Sequence, residues 1–189
     1  IGPVSTPAAQ PRTEACASLL GRSSAPRTIT SAQAVTTGAF TPPGSTNAVA
    51  NLPPFCRVAG ELAPTPQSQI RFEVWMPLES WNGKFAGVGN GGWAGTISFP
   101  ALGDQLRRGY ATASTNTGHD AAPGVNAARF AHEPPEQLVD FAYRSQHETA
   151  VAAKALVEAF YGKAPQRSYF IGCSSGGYQG LMEAQRFPS

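Results

Sequence analysis

The sequence predicts an α/β fold with a largely parallel sheet. From about residue 70 onward, strand-like and helix-like segments alternate, which is the order found when helices join neighbouring parallel strands. The last strand-like segment passes into the last helical one through a glycine-rich turn. The 189 residues are enough for one domain with a sizeable core, or for part of a larger domain.

The first third of the chain divides at about residue 25. Residues 1–25 are rich in Pro, Ala and Ser, and we interpret them as a loose lead-in with one short helix. Residues 26–189 are assigned to the folded domain. It begins with the short β-prone pieces Thr28–Thr30, Ala34–Thr37 and Phe55–Ala59, and proline pairs at 42–43 and 53–54 break this stretch.

The segment Ile70–Met76 alternates between two kinds of side chain. One face carries Ile70, Phe72, Val74 and Met76, and the other carries Arg71, Glu73 and Trp75. Alternation of this kind predicts a half-buried strand.

Helices and strands then follow in turn, each bounded by glycine or proline. We expect strands at Phe85–Val88, Tyr110–Thr115 and Ser168–Ile171. We expect helices at Pro100–Arg108, Tyr143–Tyr161 and Gly176–Arg186, with Gly109 and Gly162 ending the first two. The segment from His119 to Pro135 reads as a loop.

Composition excludes several classes of protein. Lys and Arg number 14 against 12 Asp and Glu, and no basic stripe exists, so no nucleic-acid partner is expected. Apolar residues make up 41%, which excludes disorder throughout, and no apolar run approaches the roughly 20 residues of a membrane span. We therefore expect no membrane partner. The first ten residues do not have the pattern of a signal peptide.

The three cysteines leave more than one pairing open. No C-x-x-C spacing and no neighbouring His argue for zinc, so no metal site is expected in this chain. One cysteine must remain a free thiol or bond to something outside the sequence. Low charge with many Gly and Pro residues favours a loop-rich extracellular protein.

The informative motif is Gly172-Cys173-Ser174-Ser175-Gly176, which fits G-x-S-x-G. A nucleophilic serine needs a sharp strand-to-helix turn that leaves its hydroxyl exposed, and side chains two residues before and after it would not fit. Ser174 is therefore the candidate nucleophile, and the N–H of Ser175 is a candidate oxyanion donor. The alternative is a glycine-rich turn with no chemistry.

A second glycine cluster, Gly87–Gly95, follows a predicted strand. In hydrolases with such a motif, a loop after an early strand supplies the second oxyanion donor, and Gly91 and Gly92 are the candidates here. A phosphate loop is disfavoured because no G-K-[ST] follows and no helix pattern opens there. Trp93 is either a substrate platform or a loop anchor.

Together these residues resemble the tannase and feruloyl esterase family, to which bacterial hydrolases of mono(2-hydroxyethyl) terephthalate are also similar. The resemblance runs from about residue 15 to the end. It is carried by the serine motif with Gly177 and by Gly89-Asn90-Gly91-Gly92-Trp93-Ala94-Gly95. The supporting segments are Trp81–Phe85, Gly109–Ala111, Thr117–His119, Phe160–Gly162, Gly180-Leu181 and Gln185–Pro188.

The resemblance implies an α/β-hydrolase core with a Ser-Asp-His triad and a large lid domain. It implies that Ser174 is the nucleophile and that Cys173 bonds to a cysteine just after the catalytic histidine. It also implies a bond between Cys16 and Cys56, and a structural calcium in the lid, with no cofactor for catalysis.

In the α/β-hydrolase fold, the catalytic acid and the catalytic histidine follow the nucleophile along the sequence. Since the sequence ends at Ser189, we expect both, with the lid and the partner of Cys173, on a C-terminal part carried by the same gene product or by a separate chain. The present chain is then the N-terminal part of the catalytic domain, up to the nucleophile turn and its helix. We expect it to be insoluble or inactive by itself.

The three histidines all precede Ser174. His147 and Glu148 are adjacent in a predicted helix and do not face each other, so they form no dyad. His132 reads as part of a solvated loop. His119 follows a predicted strand and is a candidate for the substrate pocket.

The function that the resemblance implies is hydrolysis of aromatic-acid esters of feruloyl, galloyl or terephthaloyl type. The reaction would pass through an acyl-enzyme on Ser174, in a secreted or periplasmic protein. A non-catalytic acyl-binding or scaffold fragment, or another serine hydrolase such as a peptidase, remains the alternative.

Overall fold

One six-stranded sheet organises the chain, with helices on both faces. A computed structural model describes residues 12–93, 95–121, 128–132 and 134–188. The strands are β1 (Arg27–Val35), β2 (Phe55–Leu62), β3 (Ile70–Pro77), β4 (Lys84–Val88), β5 (Ala111–Thr115) and β6 (Arg167–Ile171). The helices are α1 (Arg12–Ser18), α2 (Phe99–Arg107), α3 (Pro135–Val139), α4 (Ser145–Tyr161) and α5 (Ser175–Arg186). Short 3₁₀ turns cover Leu19–Arg22 and Arg129–His132, and a π-helical turn covers Asp140–Arg144.

The strand order is β1-β2-β3-β5-β4-β6, and the sheet is mixed. The pairs β1/β2, β2/β3 and β3/β5 are antiparallel, whereas β5/β4 and β4/β6 are parallel. The α/β class is confirmed, but parallel pairing is confined to β4, β5 and β6 in the described part of the chain. The reason is that loops without helices join β1, β2 and β3, and a parallel pair needs a longer crossover, usually through a helix.

The prediction that β3 is half-buried was wrong, because both of its faces are covered from residue 72 onward and only Arg71 is exposed. Val74 and Met76 pack in the larger core cluster on the side of α4, while Trp75 packs with Leu102 and Leu106 of α2. The polar face is buried too, since Glu73 pairs there with Arg57 of β2. A charged residue at every second position normally marks a solvated face, so the pattern concealed this buried ion pair.

The segment before β1 packs onto the sheet. Cys16 and Leu19 are buried, and Cys16 forms a disulfide with Cys56 in β2, as the resemblance implies. Residues 1–11 of the predicted lead-in lie outside the described residues. The part from Arg12 to Arg22 therefore contributes to the core.

One helical run covers 135–161 and begins earlier than the sequence predicts. It passes from α3 through the π-helical turn into α4, which ends at Gly162 with φ +72°. The predicted loop before it contains the 3₁₀ turn, and residues 122–127 and 133 lie outside the described residues. Across the part of the chain that the structure describes, no helix has the length and apolar character needed to cross a bilayer.

Candidate active site

Ser174 occupies a sharp turn between β6 and α5. Its backbone has φ 57° and ψ −122°, a sparsely populated conformation that costs a non-glycine residue about 1–3 kcal/mol. A Cβ atom on Gly172 would overlap the carbonyl group of Gly176, and one on Gly176 would lie 2.8 Å from the backbone oxygen of Asn90. The glycines of the motif are thus a steric requirement of this turn.

The side chain of Ser174 is exposed and lies in a surface cleft of about 480 Å³. The π-helical turn and α3 form one wall, the first turn of α5 another, and the glycine loop a third. Most of the lining is apolar or aromatic, and consists of Gly92, Trp93, Leu138, Phe141, Ala142, Ser174, Ser175 and Tyr178.

The glycine loop after β4 meets the start of α5. A Cβ atom on Gly89 would lie 2.6 Å from the Cα atom of Gly176, so the two backbones are in contact. Gly92 has φ +57° and lines the cleft together with Ser174 and Ser175, whereas Gly91 is exposed and is not part of the lining. The structure therefore brings Ser174, Ser175 and Gly92 together; Ala94 of this loop lies outside the described residues.

Trp93 lies at the cleft with an exposed ring. The residue is 56% exposed, and its ring centroid is 5.4 Å from that of Phe141 and 6.3 Å from that of Phe130. A ring with this much free surface can still receive an aromatic ligand. This placement is compatible with the substrate platform that the sequence suggests.

His119 packs against the glycine loop and does not line the cleft that contains Ser174. It is 7% exposed, its Nε2 is 2.9 Å from the backbone oxygen of Trp93, and its Nδ1 is 3.3 Å from Oγ1 of Thr117. Its ring also packs on Phe130 at a centroid distance of 4.0 Å. Both ring nitrogens are occupied, so this geometry makes His119 a support for the loop at Trp93 instead of a wall of the serine cleft.

The other histidines do not reach Ser174 either. His147 Nδ1 lies 3.2 Å from Oε1 of Glu183, and its ring stacks on Phe187 at 3.5 Å, so it joins α4 to α5. His132 is exposed. Within the described ranges, no His or carboxylate is hydrogen-bonded to the Ser174 hydroxyl.

Cys173 is exposed beside the candidate nucleophile and has no disulfide partner among residues 12–93, 95–121, 128–132 and 134–188. Its bond to a cysteine outside the sequence stays a prediction. In the same ranges, no group of three or more His, Cys, Asp or Glu side chains could hold a metal ion. The resemblance implies calcium in the lid, outside this sequence, so that site stays a prediction.

Sequence reasoning missed a buried carboxylate next to the cleft. Asp140 begins the π-helical turn, is fully buried, and accepts hydrogen bonds from Ser68 Oγ at 3.0 Å and Arg144 Nη1 at 3.1 Å. Burial raises the pKa of Asp140, although Ser68 and Arg144 act in the opposite direction. Its neighbours in the turn, Phe141 and Ala142, line the cleft. No signal in the sequence distinguishes this aspartate from a solvated one.

Comparison with known proteins gives one consistent result. The family model described as "Tannase and feruloyl esterase" matches residues 56–189. An uncharacterized esterase of Xanthomonas campestris pv. campestris is 47% identical over 174 residues, which are 92% of this chain and 30% of that protein. Feruloyl esterase B of Aspergillus niger is 40% identical over 133 residues, 70% of this chain and 25% of that protein.

A solved structure shares the fold. The crystal structure of feruloyl esterase B from Aspergillus oryzae superposes with a TM-score of 0.84 at 31% identity, over 94% of this chain and 35% of that one. The chain thus spans about a third or less of the length of these relatives. The family match over residues 56–189 and the identity to these relatives show that the chain belongs to the tannase and feruloyl esterase family.

Proposed function

We propose that the protein containing this chain is a serine esterase that hydrolyses esters of aromatic acids, of feruloyl, galloyl or terephthaloyl type, through an acyl-enzyme on Ser174. The observation that carries the proposal is the backbone of Ser174 at φ 57° in an exposed turn, where its side chain shares a cleft with Gly92 and Ser175. A non-glycine residue held in this region between a strand and a helix is the geometry of a nucleophile turn.

The proposed reaction begins with attack of the Ser174 Oγ on the ester carbonyl carbon. A histidine on the polypeptide outside this sequence accepts the hydroxyl proton, and an acidic residue there orients it. The backbone N–H groups of Ser175 and Gly92 donate to the oxyanion, with Gly91 as the second choice for the loop donor. Collapse of the tetrahedral intermediate breaks the ester C–O bond, and the histidine returns the proton to the leaving alcohol. Water then attacks the acyl-enzyme by the same route, which releases the acid and restores the serine.

Two observations support an aromatic substrate. The cleft beside Ser174 has aromatic side chains from the glycine loop, the π-helical turn and α5, namely Trp93, Phe141 and Tyr178. Aromatic rings pack favourably against one another in offset or edge-to-face arrangements, by about 0.5–1.5 kcal/mol beyond the buried area. Relatives named feruloyl esterase B agree with this substrate class. We propose that a lid outside this sequence completes the pocket and carries the calcium.

The cysteines support a proposed extracellular or periplasmic location, since disulfides such as Cys16–Cys56 persist in oxidising compartments. We propose that Cys173 forms a second bond, to a cysteine beside the catalytic histidine. That bond would hold the histidine segment against the nucleophile turn.

The test compares Ser174→Ala with wild type in the full-length protein. Methyl ferulate, methyl gallate and mono(2-hydroxyethyl) terephthalate serve as substrates, and Ser18→Ala, an exposed serine on α1, is the matched control. We expect Ser174→Ala to lower kcat by about 10⁴-fold or more and Ser18→Ala to leave it unchanged.

Turnover that survives Ser174→Ala would overturn the assignment of the nucleophile. Binding of the aromatic acid without turnover by the wild type would favour an acyl-binding protein. Faster cleavage of peptides than of esters would indicate a peptidase.

A further inference from the structure

A buried glutamine on the nucleophile helix holds the glycine loop. Gln179 in α5 is 2% exposed, and its Oε1 accepts a hydrogen bond of 3.0 Å from the backbone N–H of Asn90. The same oxygen would lie 2.9 Å from a Cβ atom on Gly89, so the loop lies directly against this side chain. The contact joins two segments that are 89 residues apart in sequence.

The side chain of Asn90 fixes the loop from the other side. Its Nδ2 donates to the backbone oxygen of Thr115 at 2.9 Å, where β5 ends, and to the backbone oxygen of Thr96 before α2. Asn90 is itself 7% exposed. The residue is therefore held through its backbone by α5 and through its side chain by β5, two positions before Gly92.

The side-chain amides of Gln179 and Asn90 are costly to bury, and each has one polar atom without a hydrogen bond. In the described part of the chain, Nε2 of Gln179 and Oδ1 of Asn90 have no hydrogen-bond partner. Burying an unpaired polar group costs free energy, so packing alone would favour an apolar side chain at 179. What Gln179 supplies that an apolar residue does not is an acceptor at the loop N–H.

We propose that Gln179 and Asn90 are positioning residues, which hold the glycine loop so that the N–H groups of Gly92 and Ser175 converge on the same oxyanion. This inference rests on the proposed function. An oxyanion donor acts chiefly in the transition state, so a displaced loop lowers kcat while ground-state binding is retained. A purely structural role would instead change stability and leave the kcat of the folded fraction intact.

The experiment replaces the acceptor in the full-length protein and keeps the volume. Gln179→Met removes the acceptor, whereas Gln179→Glu keeps an acceptor oxygen and replaces Nε2, which has no described partner, with a second carboxyl oxygen. We expect Gln179→Met to lower kcat for methyl ferulate by about 10–100-fold with KM within about 3-fold of wild type. The affinity for an aryl boronic acid, which forms a tetrahedral anion on the serine, should weaken by a similar factor.

Rescue and an independent variant complete the test. Gln179→Glu should recover most of the kcat, and Asn90→Asp, which replaces the donor to two backbone oxygens by an acceptor, should show the same loss of kcat. If Gln179→Met is not recovered as a folded protein, the kcat of Asn90→Asp is used to test the inference instead. The inference would be overturned if folded Gln179→Met, or Asn90→Asp in its place, had a kcat within about 3-fold of wild type. It would also be overturned if Gln179→Glu and Gln179→Met lost kcat equally.

The Ser174→Ala variant separates the two levels of the proposal. Activity in Ser174→Ala removes the proposed function itself. An inactive Ser174→Ala together with a fully active Gln179→Met removes only the role of Gln179.

Discussion

Gly89 and Gly176 are in direct backbone contact, although one follows β4 and the other lies in the first turn of α5. A Cβ atom on Gly89 would come within 2.6 Å of the Cα atom of Gly176. Backbone atoms cannot rotate out of the way as a side chain can, so this approach depends on the absence of both side chains. It brings the glycine loop and the serine turn, the two motifs that the sequence singles out, to one site.

Adding a methyl group at this contact should therefore damage the site and also destabilise the fold. For Gly89→Ala in the full-length protein, we expect kcat to fall by at least about 10-fold and the free energy of unfolding to fall by about 1–3 kcal/mol, a typical cost of overpacking. Gly21→Ala is the matched control, since no atom lies within 4 Å of the added group. Esterase kinetics and urea denaturation measure both effects. Equal kinetics for the two variants would mean that the loop tolerates displacement.

The second prediction concerns the stability that the buried ion pair of Arg57 and Glu73 provides. Glu73 Oε2 accepts from Arg57 Nε at 3.0 Å and from Trp75 Nε1 at 3.1 Å, and its Oε1 accepts from the other end of the guanidinium. Glu73→Gln leaves the Arg57 charge buried without a counter-charge, so we expect a loss of about 3–5 kcal/mol in the free energy of unfolding.

The double variant Arg57→Met/Glu73→Gln keeps an acceptor for Trp75 and removes the uncompensated charge. It should therefore be more stable than Glu73→Gln alone in urea denaturation. A double variant less stable than the single one would show that the pair contributes mainly through the packing of Arg57 against Phe40, whose ring centroid lies 4.8 Å from the guanidinium carbon.

Asp140 should make the folded protein less stable as the pH rises. Burial raises its pKa, so the folded protein holds the proton more tightly than the unfolded chain does, and the carboxyl contributes most below its unfolded pKa of about 3.9. That contribution is lost as the pH rises through the folded pKa. Asp140→Asn stays neutral, so its stability relative to wild type should increase from pH 4 to pH 7.

Guanidinium denaturation of both proteins across this range measures the difference. The charged groups that face Asp140, Arg144 and Glu136, are present in both proteins. A relative stability that falls with pH would mean that Arg144 outweighs the desolvation of Asp140.

The two glycine motifs could be predicted from the sequence because each needs glycines at fixed spacings, which can be read directly. Gly172 and Gly176 flank Ser174 at fixed distances, between a strand and a helix that the sequence also predicts. Asn90 and Gln179 could not be found in the same way. Their bond joins distant segments through a backbone N–H, and a polar side chain buried on a helix leaves no periodic pattern.

The burial of β3 and the contacts of His119 could not be predicted for a related reason. Glu73 reads as solvated until Arg57 is known to lie diagonally across from it on the neighbouring strand, β2. His119 follows a strand in a loop, which makes it a candidate for the substrate pocket, and this stays a prediction; its contacts with Trp93 and Thr117 are visible only in the structure. In both cases the partner is set by tertiary packing, which a local pattern does not contain.

Under the proposed function, Trp93 should contribute to a preference for aromatic esters. The residue is 56% exposed at the cleft, and the hydrogen bond from His119 goes to its backbone oxygen, so Trp93→Ala removes the ring without removing that support. We expect kcat/KM for methyl ferulate to fall by about 3–10-fold, which corresponds to the loss of one aromatic contact, and kcat/KM for an acetate ester to change little. Tyr178→Phe keeps its ring at the cleft and loses only the 3.1 Å hydrogen bond to the backbone oxygen of Ala142, so its preference for ferulate over acetate should match that of wild type. Equal losses for both esters in Trp93→Ala would mean that the ring positions the loop and does not contact the acyl group.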